Sequence, residues 1–461
     1  MKPSGKLLAA LAAAMLIACT GFAQQAAAPA GGQGTGRGGA APIQSPQIAQ
    51  DGMVTFRLSA PAATAVVVRN TTGGFSDWPG GNDVAMTKGD NGVWSATIGP
   101  LKPEYYIYVF VVDGVQAFDP QNPFHVRDGT RYGNSLRIPG ELTANYAVND
   151  VPHGTLSLIW YPSPALKLTR RLYVYTPPGY ETSTARYPVF YLLHGGGGDE
   201  DAWTTLGRAP QIMDNLIAQG KARPMIVVMT NENSNQIAAP DFVAAPQGGG
   251  RGAPAEAQPG GRGAAGAPAQ GSAQGAARGG GNPMQGTAML TFPKSIITDL
   301  IPFVDKAYRT LRDRENRAIA GLSMGGGMTL LAAFNNLDQF AWVGTFSAGL
   351  PPMPGVAVPI APPPDAANLR GPDINNTIDK QKLADLLPQL NANANARLRL
   401  FYVGIGTQDG LITAHNAFKE LLKEKGVNAT IVERRGYGHE WPFWRISLGD
   451  FATRLFRAQG K

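Results

Sequence analysis

One cysteine stands in 461 residues, and it is Cys19, close to the start of the chain. A single thiol forms no internal disulfide, and it gives the rest of the chain neither a thiol nucleophile nor a Cys-ligated metal site. Charge is sparse too, at 16% of residues. Forty Lys and Arg against 33 Asp and Glu leave a net charge of +7, but the basic residues are scattered and form no stripe interleaved with aromatics. Nucleic acid is therefore not an expected partner. The apolar run at 7–18 is too short to span a bilayer. No fixed-period repeat is visible, and no cluster of residues has metal-ligand spacing, so neither a metal nor an organic cofactor is implied. Chemistry must come from oxygen nucleophiles, histidine and carboxylates.

What is present begins with "MKPSGKLLAALAAAMLIACTGFAQQ", in which Lys2 and Lys6 precede the apolar stretch and small residues follow it. This is the form of an export signal, expected over 1–23. Two processing routes fit. Gly21-Phe22-Ala23 suits cleavage before Gln24, whereas Leu16-Ile17-Ala18-Cys19 resembles a lipobox with Cys19 lipidated. The expected location is periplasmic or secreted, or anchored to the outer membrane through Cys19.

Composition then divides the chain. Residues 24–46 are rich in Ala, Gly, Pro and Gln and predict a disordered linker. Over 47–140, short runs such as "MVTFRL", "AVVVRN" and "YYIYVFVVDG" separated by turn residues predict a small all-β, immunoglobulin-like sandwich. Trp78, Trp94, Tyr105 and Tyr106 either line a sugar platform there or belong to its core. From 155 to 460 strands alternate with helices, with strands predicted at 171–175, 189–193, 225–229, 318–322, 343–346, 398–405 and 430–433. Helices are predicted near 209–220, 292–309, 324–335, 381–390, 413–425 and 442–457. That alternation predicts an α/β domain with a mostly parallel sheet. It is interrupted at 243–286 by a Gly/Ala/Pro-rich segment without core-forming residues, read as a disordered insertion.

The stretch "RAIAGLSMGGGMTL" places Ser323 between an apolar strand and a helix, with Gly321 and Gly325 two residues either side. This is the pattern of a nucleophile elbow, although in a chain with 58 glycines the five letters alone are weak. A serine hydroxyl needs a neighbouring base. Of five histidines, His439 in "RRGYGHEWPFW" follows a predicted strand and is the best candidate, and Asp409 in "GIGTQDG", also at a strand end, suits the acid. The order Ser323, Asp409, His439 is that of an α/β-hydrolase. Donors for a tetrahedral oxyanion are expected from the N–H of Met324, at the start of the elbow helix, and of Gly196, in "YLLHGGGGDEDAW". His194 in that loop is read as positioning it. Trp203, Trp441 and Trp444 either stack on a substrate ring or pack in the core, with Trp203 and Trp441 taken as the substrate-binding candidates.

Together "RRLYVYTPPGY", "YLLHGGGGDEDAW", "AGLSMGGG", "GIGTQDG" and "GHEWPFWRISL" resemble the esterase D family, in its branch of feruloyl, acetyl-xylan and enterochelin esterases. Residues 47–140 are similar to early-set sandwich modules related to glycogen-binding domains. The resemblance implies an α/β-hydrolase behind the sandwich, with Ser323, Asp409 and His439 in the serine, acid and base roles. It also implies an ester substrate, either acetyl or feruloyl esters on plant polysaccharide or oligosaccharide, with possible polysaccharide contact through the sandwich. Siderophore-ester hydrolysis, acyl transfer to sugar and non-catalytic glycan binding are the alternatives. The insertion at 243–286 departs from the family pattern.

Overall fold

The computed structural model describes residues 43–72, 78–233, 287–350 and 378–457. The expected export segment, most of the linker and the insertion lie outside them. Residues 43–46 of the linker are described and belong with the sandwich: Ser45 is buried and its hydroxyl donates to Asp119 at 2.6 Å.

Two antiparallel sheets form the sandwich. One runs in the order Gln47–Ile48, Val54–Ser59, Val93–Ile98, Thr87–Lys88. The other runs Asp83–Ala85, Val66–Asn70, Tyr105–Val112, Arg131–Arg137, His125–Asp128, with Val115–Ala117 also paired to Tyr105–Val112. Val54–Ser59 alternates buried and less buried residues, as a strand with one face on a core should. Tyr105–Val112 does not alternate, because both its faces are covered. Tyr106, Tyr108 and Phe110 join Phe56, Trp78 and Trp94 between the sheets. Tyr105 and Ile107 instead join a cluster that holds Trp203, Leu206, Trp441 and Trp444 of the following domain. Of the two readings of Trp78, Trp94, Tyr105 and Tyr106, sugar platform or core, the structure matches the core: all four rings are buried.

The second sheet has eight strands: β1 (Thr155–Ser163), β2 (Leu168–Thr176), β3 (Val189–Leu193), β4 (Ile226–Met229), β5 (Arg317–Leu322), β6 (Trp342–Phe346), β7 (Leu400–Gly406) and β8 (Thr430–Arg434). Their order is β1-β2-β4-β3-β5-β6-β7-β8. The pairings β1–β2 and β2–β4 are antiparallel and all the others parallel. β1 is missing from the predicted strands, since its apolar pattern is broken and it carries Pro162, which an edge strand tolerates.

Among the described residues seven α-helices flank the sheet: α1 (Ala209–Ala218), α2 (Thr287–Ser295), α3 (Ile301–Ala307), α4 (Met324–Ala333), α5 (Lys380–Leu386), α6 (Ile412–Glu424) and α7 (Trp441–Arg454). β3 shows why the sheet needs them on both sides. Val189, Tyr191 and Leu193 point into the cluster shared with α4 and α6, whereas Phe190 and Leu192 point into the one shared with α1 and α7. All five are fully buried. Each such side chain stabilises the fold by about 1.5–3 kcal/mol, so this strand could not sit at an open surface.

Candidate active site

β5 is buried throughout and turns directly into α4, with Ser323 at the corner. Its φ of 49° and ψ of −116° lie where L-residues rarely go, a conformation costing on the order of 1–3 kcal/mol. Backbone bonds over-determine it. The Ser323 N–H donates to the Phe346 carbonyl at 2.9 Å, and the Ser323 carbonyl accepts the Gly349 N–H at 2.8 Å. The flanking glycines are required by close approach. A Cβ on Gly321 would lie 2.4 Å from the Gly325 carbonyl group, and one on Gly325 would lie 2.2 Å from the His194 oxygen.

Asp409 follows β7 and is fully buried. His439 lies in the loop between β8 and α7, and two backbone links hold that loop against the end of β7. Thr407 N–H donates to Arg434 O at 3.0 Å and Gln408 N–H to Tyr437 O at 2.9 Å. Gly406 permits this, because a Cβ there would sit 2.1 Å from the Tyr437 oxygen. His439 Nδ1 is 3.0 Å from Asp409 Oδ2 and 3.1 Å from Oδ1, and its Nε2 is 3.0 Å from Ser323 Oγ. Asp409 Oδ1 also accepts the Leu411 N–H at 2.8 Å. Trp444 stands edge-on to the imidazole, with centroids 5.0 Å apart, and its indole N–H donates to Ser347. The structure thus brings Ser323, His439 and Asp409 into one hydrogen-bonded series, an arrangement able to take a proton from the serine while a carboxylate stabilises the imidazolium.

The loop 195–198 runs beside the serine. A Cβ on Gly195 would come within 3.4 Å of Ser323 Cβ, whereas around Gly196 the space is open. Met324 is buried as the first residue of α4, where backbone N–H groups and the helix dipole favour an anion. His194, just before this loop, is fully buried and carries it. Nδ1–H donates to the Gly195 carbonyl at 2.6 Å, and Nε2 lies 3.0 Å from the Glu232 backbone nitrogen, whose N–H points to it, and 2.8 Å from Glu232 Oε2, which also accepts the His194 backbone N–H. Burial opposes the charged ring, but the Glu232 carboxylate outweighs it and raises the His194 pKa to about 9. Glu232 and Asn233, whose side-chain amide donates to Gly198 O at 2.7 Å, carry no signal in the sequence, since their partners lie on another strand's loop.

The two tryptophans taken as substrate candidates are placed otherwise. Trp203 is 1% exposed, its N–H donates to Leu193 O, and its ring packs edge-on against Phe346 and Trp441. It is a core residue with no face left for a ligand. Trp441 is also buried, between Trp203 and Trp444. Among the described residues no group of three or more His, Cys, Asp or Glu is arranged to hold a metal ion.

An eight-stranded, mostly parallel sheet with a strained serine at the corner after β5 defines an α/β-hydrolase. Within that class, the chain belongs to the Esterase family, whose model, described as "Putative esterase", matches residues 163–262 and 262–455, more than half the length of the chain. The endo-1,4-beta-xylanase/feruloyl esterase of Xylanibacter ruminicola is 29% identical over 418 residues, 89% of this chain and 46% of its own. The chain therefore spans about half the length of that relative. Endo-1,4-beta-xylanase Y of Acetivibrio thermocellus is 36% identical over 75 residues, 16% of this chain and 7% of its own. The crystal structure of the enterobactin esterase FES from Shigella flexneri matches with a TM-score of 0.52 and 17% identity over 88% of this chain and 94% of its own, a likeness of fold.

Proposed function

We propose that the protein is an exported serine carboxylesterase that removes acetyl or feruloyl groups from plant polysaccharide or its oligosaccharides. The observation that carries the catalytic part is the 3.0 Å approach of His439 Nε2 to the oxygen of Ser323 at a strained corner. Ser323 Oγ attacks the ester carbonyl and its proton passes to Nε2 of His439. Asp409 accepts the Nδ1–H and steadies the imidazolium. The oxyanion is held by the N–H groups of Met324 and Gly196. His439 then gives the proton to the departing alcohol, and the same steps with water release the acid from Ser323 and restore the enzyme.

The substrate class is supported by the Xylanibacter ruminicola relative, whose name joins xylanase and feruloyl esterase. Export is supported by the first 23 residues. Among the described residues no helix is long and apolar enough to cross a membrane. Hydrolysis of acetyl-xylan, feruloylated arabinoxylan fragments and an enterobactin-type trilactone by the purified protein and by Ser323→Ala tests the reading. Preference for the xylan esters supports it. Preference for the trilactone, or activity that survives in the variant, overturns it.

A further inference from the structure

We infer that the sandwich is a working part of the ester-hydrolysing site, with Arg127 as a positioning residue that fixes the loop bearing the Gly196 oxyanion donor. This rests on the proposed role of that loop. Four consecutive glycines, 195–198, give it more backbone freedom than any other residue type would. An oxyanion donor nonetheless has to be held within a few tenths of an ångström. The loop's own side chains cannot supply that restraint, so it must come from neighbours.

The hydrolase domain supplies one side, through His194 beneath the loop and Asn233 on the Gly198 carbonyl. The sandwich supplies the other. Arg127 lies within the strand His125–Asp128, and its guanidinium donates to both Asp199 and Asp201, the residues that close the loop, while Nε donates to the Gly129 carbonyl at 3.2 Å. Asp199 is buried. The Arg127 backbone N–H donates to Thr205 Oγ1 at 3.1 Å, and that hydroxyl donates to the Arg127 carbonyl at 3.0 Å. A planar fork between two carboxylates fixes direction as well as distance, which a point charge would not.

Backbone meets backbone beside this clamp. A Cβ on Gly129, at φ 64°, would lie 2.2 Å from the Gly197 carbonyl oxygen, and one on Gly198 would lie 2.6 Å from an Asp128 carboxylate oxygen. The turn of the sandwich hairpin is therefore seated directly on the loop. A second grip reaches the histidine's side of the site. Glu104, before the central sandwich strand, accepts from Arg445 on α7 at 3.0 Å, and that guanidinium lies over the rings of Tyr105 and Tyr146.

The test uses the full chain with Arg127→Ala and Arg127→Lys. Hydrolysis of p-nitrophenyl acetate is expected to show kcat lowered on the order of tenfold to a hundredfold in Arg127→Ala, the effect of about 1 Å of misplacement, with KM within about twofold. Arg127→Lys should recover only part of it. Hydrogen exchange of the amides in 195–201 should quicken in Arg127→Ala while β3 and β5 stay protected. Unchanged kcat, or exchange that rises uniformly or not at all, overturns the inference. Should Arg127→Ala fail to fold, Arg127→Lys with wild-type kcat and wild-type loop exchange does the same. If the wild type hydrolyses no ester, the proposed function fails, and the exchange measurement alone decides whether Arg127 orders the loop.

Discussion

Ser323 Oγ and His439 Nε2 lie 3.0 Å apart although 116 positions separate the two residues. Three neighbouring strands, β5, β6 and β7, and the loop after β8 bring them together, so each residue's contribution can be separated by substitution.

Ser323→Ala and Ser323→Gly both remove the hydroxyl, and neither is expected to hydrolyse ester. They should differ in stability. The φ of 49° at this corner strains alanine as it does serine, whereas glycine adopts it freely. Ser323→Gly should therefore unfold with a free energy at least about 1 kcal/mol above that of Ser323→Ala, read by urea titration.

Asp409→Asn should fold normally, because an amide oxygen can still accept the Leu411 N–H. Its NH2 group then faces His439 Nδ1 and moves the ring proton to Nε2, where it meets the serine as a donor. Turnover is expected to fall on the order of 10⁴-fold. Retention of more than a tenth of wild-type kcat would place the acid elsewhere.

Gly406→Ala tests the close approach behind the histidine. Its Cβ would sit 2.1 Å from the Tyr437 carbonyl oxygen, so the loop must retreat from β7 and carry His439 away from Asp409. Overpacking of this kind costs about 1–3 kcal/mol of stability. The expected result is a lowered thermal midpoint together with a kcat loss of tenfold or more.

Stability should also depend on pH through His194. Burial opposes its charge, but the Glu232 carboxylate raises the His194 pKa in the folded protein to about 9, against an ordinary value of 6.5. Between those values the folded state binds more protons than the unfolded chain, so this contribution is fully present below pH 6.5 and is lost as pH rises through 9. The slope is at most about 1.4 kcal/mol per pH unit. Denaturation of wild type and Glu232→Gln at pH 6, 8 and 10 checks it, since the variant should lose most of the dependence.

The sequence makes Ser323, Asp409 and His439 nameable because the first two stand just past apolar runs, where strands of a parallel sheet must end, and the third lies in a glycine-containing loop after a further strand. The glycines of "AGLSMG" carry a second signal, the need for backbone contact, which the distances at Gly321 and Gly325 express. What stays hidden is everything decided by partners far along the chain. Trp203 reads as readily as a ligand platform as a core ring, and only its bond to Leu193 O and its contacts with Phe346 and Trp441 decide between them. Arg127 and Glu104 are ordinary charged residues of a β-domain until Asp199, Asp201 and Arg445 are set beside them.

The two-sided burial of Tyr105–Val112 has a consequence for how the chain comes to be folded. Synthesis runs from the N-terminus, so this strand exists before Trp203, and long before Trp441 and Trp444, have been made. Until those residues arrive, Tyr105 and Ile107 present an uncovered apolar face, the kind of surface that attracts chaperones or other nascent chains. A fragment ending near residue 150 would keep that face permanently. Cut away or transplanted alone, the sandwich is therefore expected to expose the face that Tyr105 and Ile107 bury against Trp203, Trp441 and Trp444.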